Sequence, residues 1–269
     1  MDLKVVLLGF IQGLTEFLPV SSSGHLALAK IFLGMELPPL NYDLVLHVAT
    51  VLATMIFFAP DILELLAEWF SGFFSSARRK SAGWRIGWAV IAGTVITSVI
   101  GIFLKKYAEE ASLNSLAVAA GLIVTSIVLF ISRKMGKGCG HVSFMDGIYV
   151  GIAQGLAVFP GVSRSGMTIM AGLAAGLSKE EAFRFSFLLS VPAIIGATVL
   201  KAAEIGGWRE FVSTLPPGWY LGALCAFITG LVSLFILKRL VIASKWWLFG
   251  IYCLAVGLAA AGATYLGVW

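Results

Sequence analysis

Charged residues are scarce in this sequence. Aspartate, glutamate, lysine and arginine make up 12% of the 269 residues, whereas 59% of the residues are hydrophobic. Soluble domains carry roughly 25% charged residues. The composition therefore excludes an ordinary soluble domain, and it predicts a single integral membrane domain that covers residues 1–269.

Three further signals are missing. The three cysteines show no CxxC or Cys/His spacing, so we interpret them as packing residues. The basic residues are scattered between apolar runs without a basic and aromatic patch, so the net charge of +5 does not indicate a nucleic-acid partner. The first residues lack the basic region and the cleavage site of a signal peptide, and we expect the first segment to be retained.

Apolar runs long enough to cross about 30 Å of hydrocarbon are frequent. Six clear spans are predicted at residues 42–59, 84–104, 115–132, 185–201, 218–238 and 246–267. Two further regions, 2–33 and 144–178, are too long for one straight span, and each is interrupted near its middle by proline, glycine and serine. This pattern predicts a broken helix in each region.

Lysine and arginine indicate the orientation of the spans, since cytoplasmic loops carry the excess. If the six spans alternate and region 144–178 returns to the side where it starts, 12 of the 19 basic residues fall on one side. We therefore predict that region 144–178 is a re-entrant hairpin. Region 2–33 is assigned the same form by analogy.

The two broken regions resemble each other. QGLTEFLPVSSSGH at 12–25 aligns with QGLAVFPGVSRSGM at 154–167, and nine of sixteen positions from Gly9 to Gly24 are identical at an offset of 142. Because three spans follow each hairpin, the second unit is predicted to be upside down relative to the first. The fold class predicted is an all-α polytopic membrane protein, with six transmembrane helices and two re-entrant helical hairpins. Its inverted-topology repeats are approximately 1–141 and 142–269.

The two copies differ at the positions that matter most for chemistry. Glu16 is paired with Val158, Ser22 with Arg164, and His25 with Met167. One composite site would therefore combine a carboxylate, a hydroxyl and an imidazole with a guanidinium. Half-helices that begin near the serines would add free backbone N–H groups, and arginine suits phosphate, so the pattern predicts an anion site.

Each feature also has a structural explanation. Serines in membrane helices usually serve close packing, and a single His25 is often only hydrogen-bonded. Glu16 and Arg164 are costly at membrane depth and usually mark a substrate or ion path, although a structural ion pair stays an alternative. We expect Asp43, His47 and Asp61 to be interfacial and segment 61–76 to form an amphipathic interfacial helix. Arg184 is explained most simply as a positive-inside residue.

Both polar strings resemble the signatures of the undecaprenyl pyrophosphate phosphatases, the bacitracin-resistance membrane proteins. An (E/Q)xxxE signature stands here as Gln12 to Glu16, followed by PVSSSGH at 19–25, and PGVSRSGMT at 160–168 matches the second signature. The resemblance covers essentially the whole chain. It departs from many members at Gln12, which replaces a glutamate and removes a negative charge from a possible metal site.

The resemblance implies a membrane phosphatase of the bacterial cytoplasmic (inner) membrane. It would hydrolyse the lipid carrier pyrophosphate to its monophosphate and inorganic phosphate, recycle the carrier for cell-wall synthesis, and confer bacitracin resistance. Its partners would be a polyprenyl pyrophosphate substrate and membrane lipids. The preferred chain length, the oligomeric state and the side to which the site opens stay undetermined by the sequence.

The resemblance also implies roles for individual residues. Arg164 would clamp the phosphates, assisted by Ser21, Ser23, Ser163, Ser165 and Thr168. Gln12 and Glu16 would hold a divalent cation, Mg²⁺ or Ca²⁺, with an affinity that depends on bound pyrophosphate. His25 would act as general base or acid, and Ser22 is the candidate nucleophile, with a directly attacking water as the alternative.

A secondary transporter or flippase for a lipid phosphate or small anion is the competing hypothesis. Inverted repeats with helices broken at the midplane are a common transporter plan. Transport requires charge matching but no nucleophile or imidazole, so Ser22 and His25 favour the phosphatase.

Overall fold

The computed structural model describes residues 3–32, 40–135, 138–204 and 208–267, and within these ranges the chain is helical and contains no strand. The α-helices are α1 (Leu3–Phe17), α2 (Ser22–Phe32), α3 (Leu40–Phe57), α4 (Ala59–Phe74), α5 (Ala82–Ser112), α6 (Ser115–Ser132), α7 (Phe144–Leu156), α8 (Arg164–Ala174), α9 (Lys179–Glu204), α10 (Trp208–Ser213), α11 (Trp219–Ile242) and α12 (Leu248–Tyr265). A short 3₁₀ turn, Arg78–Lys80, precedes α5. The all-helical class predicted from the sequence is confirmed.

Helices able to cross a membrane dominate the fold. Five helices, α5, α6, α9, α11 and α12, are long and apolar enough to span by themselves. The predicted span at 42–59 corresponds to α3, which meets the same test only together with α4, and the two helices are bent by 74° at their junction. The described part of the chain therefore offers five or six spans, as expected for a multi-pass membrane protein.

Both regions predicted to be broken are broken. Region 2–33 forms α1 and α2, separated at residues 18–21, and region 144–178 forms α7 and α8, separated at residues 157–163. Pro19 and Pro160 lie in these breaks, where a residue without a backbone N–H interrupts helical hydrogen bonding. We refer to α1–α2 as the first helix pair and α7–α8 as the second helix pair.

Each helix pair packs against a helix that is distant in sequence. Helix α1 lies along α11, and α7 lies along α5. Glycines allow the backbones to approach closely: a Cβ atom added at Gly9 would lie 2.1 Å from the carbonyl oxygen of Gly222, and one added at Gly151 would lie 2.7 Å from Cα of Gly93. These crossings fix the position of α1 and α7 within the bundle.

An aromatic cluster holds the end of α1 that follows Glu16. Phe17 meets Phe187 of α9 edge to face, with ring centroids 5.8 Å apart, and Phe187 stacks on Phe58 at 5.6 Å. All three rings are buried. Because aromatic pairs add to the energy of apolar burial, this cluster limits the motion of the helix end beside the predicted site.

We expect Gly9→Ala to destabilise the protein by roughly 2 kcal/mol or more, because the new methyl group would collide with backbone atoms of α11 that cannot rotate away. Gly101→Ala is the matched control, since no atom lies within 4 Å of a Cβ added there. That variant is expected to be neutral or up to about 1 kcal/mol more stable, because alanine favours helix. Thermal unfolding in detergent measures both changes, and equal midpoints for the two variants would contradict the proposed crossing.

Segment 61–76, predicted as an amphipathic helix, lies mostly in α4. Its first turns contact α9 through Arg184, whose Nε lies 2.5 Å from Oδ1 of Asp61 and whose Nη2 lies 3.5 Å from Oε2 of Glu64. Arg184, interpreted from the sequence as a positive-inside residue, therefore also joins two helices. Both partners are partly exposed, so this contact adds little stability and serves chiefly to orient α4.

Candidate active site

The breaks of the two helix pairs touch each other. A Cβ atom added at Gly24 would lie 3.0 Å from Cα of Gly161, and one added at Gly166 would lie 3.4 Å from Cβ of Pro19. The Ser165 hydroxyl donates to the Leu18 carbonyl oxygen over 3.3 Å. The polar strings that the sequence repeats are therefore brought together in space.

Serines organise both breaks in the same way. The Ser21 hydroxyl accepts from the backbone N–H of Gly24 at 3.3 Å, and the Ser163 hydroxyl accepts from that of Gly166 at 3.1 Å. Each of these hydroxyls also pairs with a second serine: the distance from Ser21 to Ser23 is 3.3 Å and the distance from Ser163 to Ser165 is 3.2 Å. These serines thus cap and order the first turns of α2 and α8.

Two residues support the breaks further. Ser21 has a positive φ of 68°, a backbone conformation that costs a residue other than glycine about 1–2 kcal/mol. Thr125 of α6 donates to the Gly161 carbonyl at 2.8 Å and accepts from the Ser163 N–H at 2.8 Å. Thr125 thus braces the second break, whereas Ser21 carries backbone strain in the first. Such strain is common at binding sites.

Thr168 lies on the inner side of α8. Its hydroxyl donates to the Arg164 carbonyl at 2.8 Å and lies 2.5 Å from the Ser186 hydroxyl of α9. Thr168 is buried, as are Ser163 and Ser165, whereas Ser23 is exposed. The phosphate-binding role expected for these hydroxyl groups stays a prediction.

Glu16 is the centre of a charged cluster that unites the two helix pairs. Its Oε1 accepts from Nη2 of Arg164 at 2.6 Å, and its Oε2 accepts from Nε2 of Gln12 at 2.9 Å and from the Ser22 hydroxyl at 2.6 Å. The Glu16 side chain is only 4% exposed. Glu16 and Arg164 are 148 positions apart, so the fold assembles this cluster as the repeat predicted.

Two polar atoms in this cluster are buried without a hydrogen-bond partner. They are Oε1 of Gln12, which can only accept, and Nη1 of Arg164, which can only donate. Buried polar atoms without partners are costly, so we expect a water or a ligand to bind each of them. An electropositive group would satisfy Gln12 and an anion would satisfy Arg164.

A divalent cation fits these donors. The Glu16 carboxylate and the Gln12 amide oxygen are hard oxygen ligands of the kind that Mg²⁺ and Ca²⁺ prefer. The described ranges contain no group of three or more histidine, cysteine, aspartate or glutamate residues suited to a metal. A protein site with one carboxylate would need further ligands from the substrate, and the substrate-assisted metal site stays a prediction.

His25 is oriented away from this cluster. Its Nδ1 lies 2.8 Å from the Ser21 carbonyl oxygen, and its Nε2 lies 2.8 Å from the hydroxyl of Tyr252 on α12. The two rings are also stacked, with centroids 5.5 Å apart. The hydrogen bonds of the predicted acid or base thus go to Ser21 and Tyr252 rather than to Glu16.

His47 reaches the cluster instead. We expected this residue to be interfacial, but its Nε2 lies 3.7 Å from Oε2 of Glu16. The available signal was its position as an ionisable residue inside a predicted span, a placement that usually indicates function. Sequence periodicity could not show that α3 turns this side chain toward α1.

A partly buried ion pair continues the polar region beyond His47. The Lys30 ammonium of α2 lies 2.5 Å from Oδ2 of Asp43 on α3, and the Lys30 side chain is 9% exposed. Asp43, also expected to be interfacial, is thereby paired with a residue that the sequence reasoning did not single out. The pair fixes the end of α2 opposite Ser22.

Comparison with known proteins shows the family of this chain. The family model described as "Bacitracin resistance protein BacA" matches residues 5–259. An undecaprenyl-diphosphatase of Syntrophotalea carbinolica is 39% identical over 259 residues, which are 95% of this chain and 96% of the relative. Relatives of the same name from Methanosphaera stadtmanae and Mycobacterium ulcerans are 37% and 38% identical, covering 95% of this chain and 95% and 94% of their own lengths. The chain belongs to the bacitracin resistance protein BacA family.

Proposed function

We propose that this protein is an undecaprenyl-diphosphatase, which hydrolyses the lipid carrier pyrophosphate to undecaprenyl phosphate and inorganic phosphate. The observation that carries the proposal is the partly buried cluster of Glu16, Ser22 and Arg164, assembled from both helix pairs beside an unpartnered acceptor and an unpartnered donor. Relatives named undecaprenyl-diphosphatase are 37–40% identical over almost the whole chain. Phosphoryl transfer requires mainly positioning and charge neutralisation, which such a cluster supplies.

Arg164 is proposed as the main phosphate ligand. Its Nη2 is held by Glu16, so that Nη1 keeps a fixed direction and is free to bind a phosphate oxygen. Arginine binds phosphate with planar, charge-assisted hydrogen bonds. Ser21, Ser23, Ser163, Ser165 and Thr168 would assist by ordering the backbone N–H groups at the starts of α2 and α8, or by binding directly after small rotations.

Gln12 and Glu16 are proposed to hold a divalent cation, Mg²⁺ or Ca²⁺. When bound, such an ion supplies positive charge that offsets the negative charge of the phosphates. With Gln12 in place of a second carboxylate, the affinity of the free protein for the ion would be low. Bound pyrophosphate would then supply the missing negative charge and raise that affinity.

Ser22 is proposed as the nucleophile. Its hydroxyl already donates to Glu16 at 2.6 Å, which is the arrangement of a nucleophile and its base. Attack on the terminal phosphorus would pass the proton to Glu16 and release undecaprenyl phosphate, and water would then hydrolyse the phosphoserine. In the alternative, Glu16 activates a water that attacks directly. His25 would protonate the leaving group or accept a proton from water, from its position beside Tyr252.

The chain is further proposed to have six spans and two re-entrant hairpins arranged as inverted repeats. The contacts between the breaks support this, because Gly24 and Gly166 are 142 positions apart, as are Pro19 and Gly161. The crossings give independent support. Gly9 and Gly151, which are equivalent in the repeat, each lie at a crossing with a glycine of another helix, Gly222 of α11 and Gly93 of α5. The hairpin breaks would then meet near the bilayer midplane.

The cellular setting follows from the substrate. The protein would act in the cytoplasmic (inner) membrane of a bacterium, where the isoprenoid tail would pass between apolar helices into the lipid. Recycling the carrier would sustain cell-wall synthesis. Removal of the pyrophosphate form, which bacitracin binds, would confer resistance to that antibiotic.

Purified protein in detergent is expected to release phosphate from undecaprenyl pyrophosphate, to lose this activity in EDTA, and to regain it when Mg²⁺ or Ca²⁺ is added. Colorimetric measurement of inorganic phosphate checks this result, and Gly101→Ala, which changes no site residue, serves as a purification control. Absence of metal-dependent release by the wild type would refute the phosphatase. The transporter hypothesis accounts for the matched charges of Glu16 and Arg164, but it gives no role to the hydrogen bond from Ser22 to Glu16.

A further inference from the structure

His47 presents a free nitrogen to the carboxylate of Glu16. Its Nδ1 lies 2.7 Å from the Asp43 backbone carbonyl oxygen, which can only accept, so the proton of the neutral ring is on Nδ1. The lone pair of Nε2 is then turned toward Oε2 of Glu16, 3.7 Å away. Two acceptors that face each other are stabilised by a positive charge between them, either a proton on the imidazole or a metal ion.

Gln12 carries a third acceptor beside the same carboxylate. Oε1 of Gln12 has no hydrogen-bond partner although Gln12 is fully buried, while Nε2 of the same amide donates to Oε2 of Glu16 at 2.9 Å. The two ends of an amide have nearly the same size, so a half-turn of its last bond would direct the oxygen at the site of the cation. Glu16 would exchange one N–H donor for a positive ion.

The separation of the donor atoms suits a shared ion. Ligand atoms about 2.0–2.2 Å from one metal, at angles between about 90° and 120°, lie roughly 3.0–3.7 Å apart. The observed distance of 3.7 Å between Nε2 of His47 and Oε2 of Glu16 falls at the wide end of this interval. The side chain of His47 is 30% exposed, which leaves the ion accessible to phosphate and water.

We propose that His47 is a metal ligand, which completes a site with Glu16 and Gln12 and raises its affinity for a transition-metal ion such as Mn²⁺ relative to Ca²⁺. The inference rests on the proposed function, because it assigns a ligand to the divalent cation of that phosphatase. Imidazole nitrogen is a poor ligand for Ca²⁺ but a good one for first-row transition metals, and replacing a carboxylate by Gln12 reduces the charge that Ca²⁺ requires. One nitrogen and two oxygen donors therefore select for the softer ion.

Electron spin-echo envelope modulation of bound Mn²⁺ tests this proposal directly. The purified protein is loaded with Mn²⁺ and methylenediphosphonate, a pyrophosphate analogue whose P–C–P bridge resists hydrolysis. The sequence holds three histidines, at positions 25, 47 and 141, so a histidine nitrogen coupling must come from one of them. We expect the coupling in the wild type, its loss in His47→Gln, and its retention in His25→Gln and His141→Gln.

Titration of the same samples measures affinity. His47→Gln is expected to weaken Mn²⁺ binding by about 10–100-fold, while Ca²⁺ binding changes by less than about threefold. Manganese bound to the wild type without a histidine nitrogen coupling overturns the proposal, as does a coupling that survives in His47→Gln. Should that variant fold poorly, a coupling that persists in a His25→Gln/His141→Gln double variant assigns the nitrogen to His47, and its loss there overturns the proposal.

Phosphate release by the wild type, measured in parallel with undecaprenyl pyrophosphate, separates this inference from the function on which it rests. Activity without nitrogen coupling refutes only the role of His47. A nitrogen coupling assigned to His47 in a protein that releases no phosphate refutes the phosphatase but supports the metal ligand.

Discussion

Replacing Arg164 with alanine is expected to lower kcat/KM for undecaprenyl pyrophosphate by about 10³–10⁴-fold, the range associated with losing an arginine that stabilises a phosphoryl-transfer transition state. The change removes the group whose Nη1 is available to phosphate and also leaves the buried carboxylate of Glu16 without its cationic partner. Phosphate release at several substrate concentrations measures the effect.

Arg164→Lys separates charge from geometry. Lysine keeps the positive charge but cannot contact Glu16 and a phosphate as one rigid plane, so we expect activity to stay at least about 100-fold below wild type. Arg133→Ala is the matched control, because Arg133 lies over the Trp247 ring, 4.5 Å from its centroid, and has no contact with the cluster. Full turnover by Arg164→Lys would show that the guanidinium is not a substrate ligand.

Glu16→Gln is expected to reduce phosphate release by roughly 10³-fold and to abolish its response to divalent cations. The substitution keeps the shape of the side chain but removes its charge and places an NH₂ group where oxygen accepted from Arg164 or Ser22. The metal ligand and the base for Ser22 are lost together, and each loss alone costs about 10²-fold or more. Activity measured against metal concentration, with and without EDTA, reports both effects.

Glu68→Gln provides the comparison for Glu16. Glu68 accepts from the Gly83 backbone N–H at 2.6 Å, so this variant carries the same chemical change at a structural position. It should retain the metal response of the wild type. If instead the residual activity of Glu16→Gln still rose with added Mg²⁺ or Ca²⁺ as the wild type does, Glu16 could not be the metal ligand.

The elements of the fold were readable from sequence because the bilayer imposes simple rules. Apolar length located the spans, and Pro19 and Pro160 located the breaks. The bend at Phe58 was harder to predict from the sequence. Helices α3 and α4 follow each other with one residue between them, and the 74° angle depends on packing against α9 and α5. Local composition describes each half of that bend but not the angle.

The site was partly predictable for a different reason. The repeat predicts that the two breaks meet, and this brings Glu16 to Arg164 across 148 positions, a pairing that no local rule provides. The surroundings of His25 and His47 depend on side-chain rotation and on which helix lies opposite. Tyr252 belongs to no motif of the sequence, yet its hydroxyl is hydrogen-bonded to Nε2 of His25. Sequence patterns place a residue on a helix, whereas the neighbouring helix decides what that residue can bind.

The crossing of α1 with α11 has a consequence for the order of synthesis. Residues near Gly9 are made first, but their packing partners near Gly222 leave the ribosome more than 200 residues later, whereas α7 finds α5 already present. The newly made N-terminal helix, with the carboxylate of Glu16, therefore has to wait in the membrane without its final neighbour. A chain interrupted before α11 would keep the contact of Phe17 with Phe187 but lack the crossing that fixes the rest of α1, so we expect the site to be completed only near the end of translation.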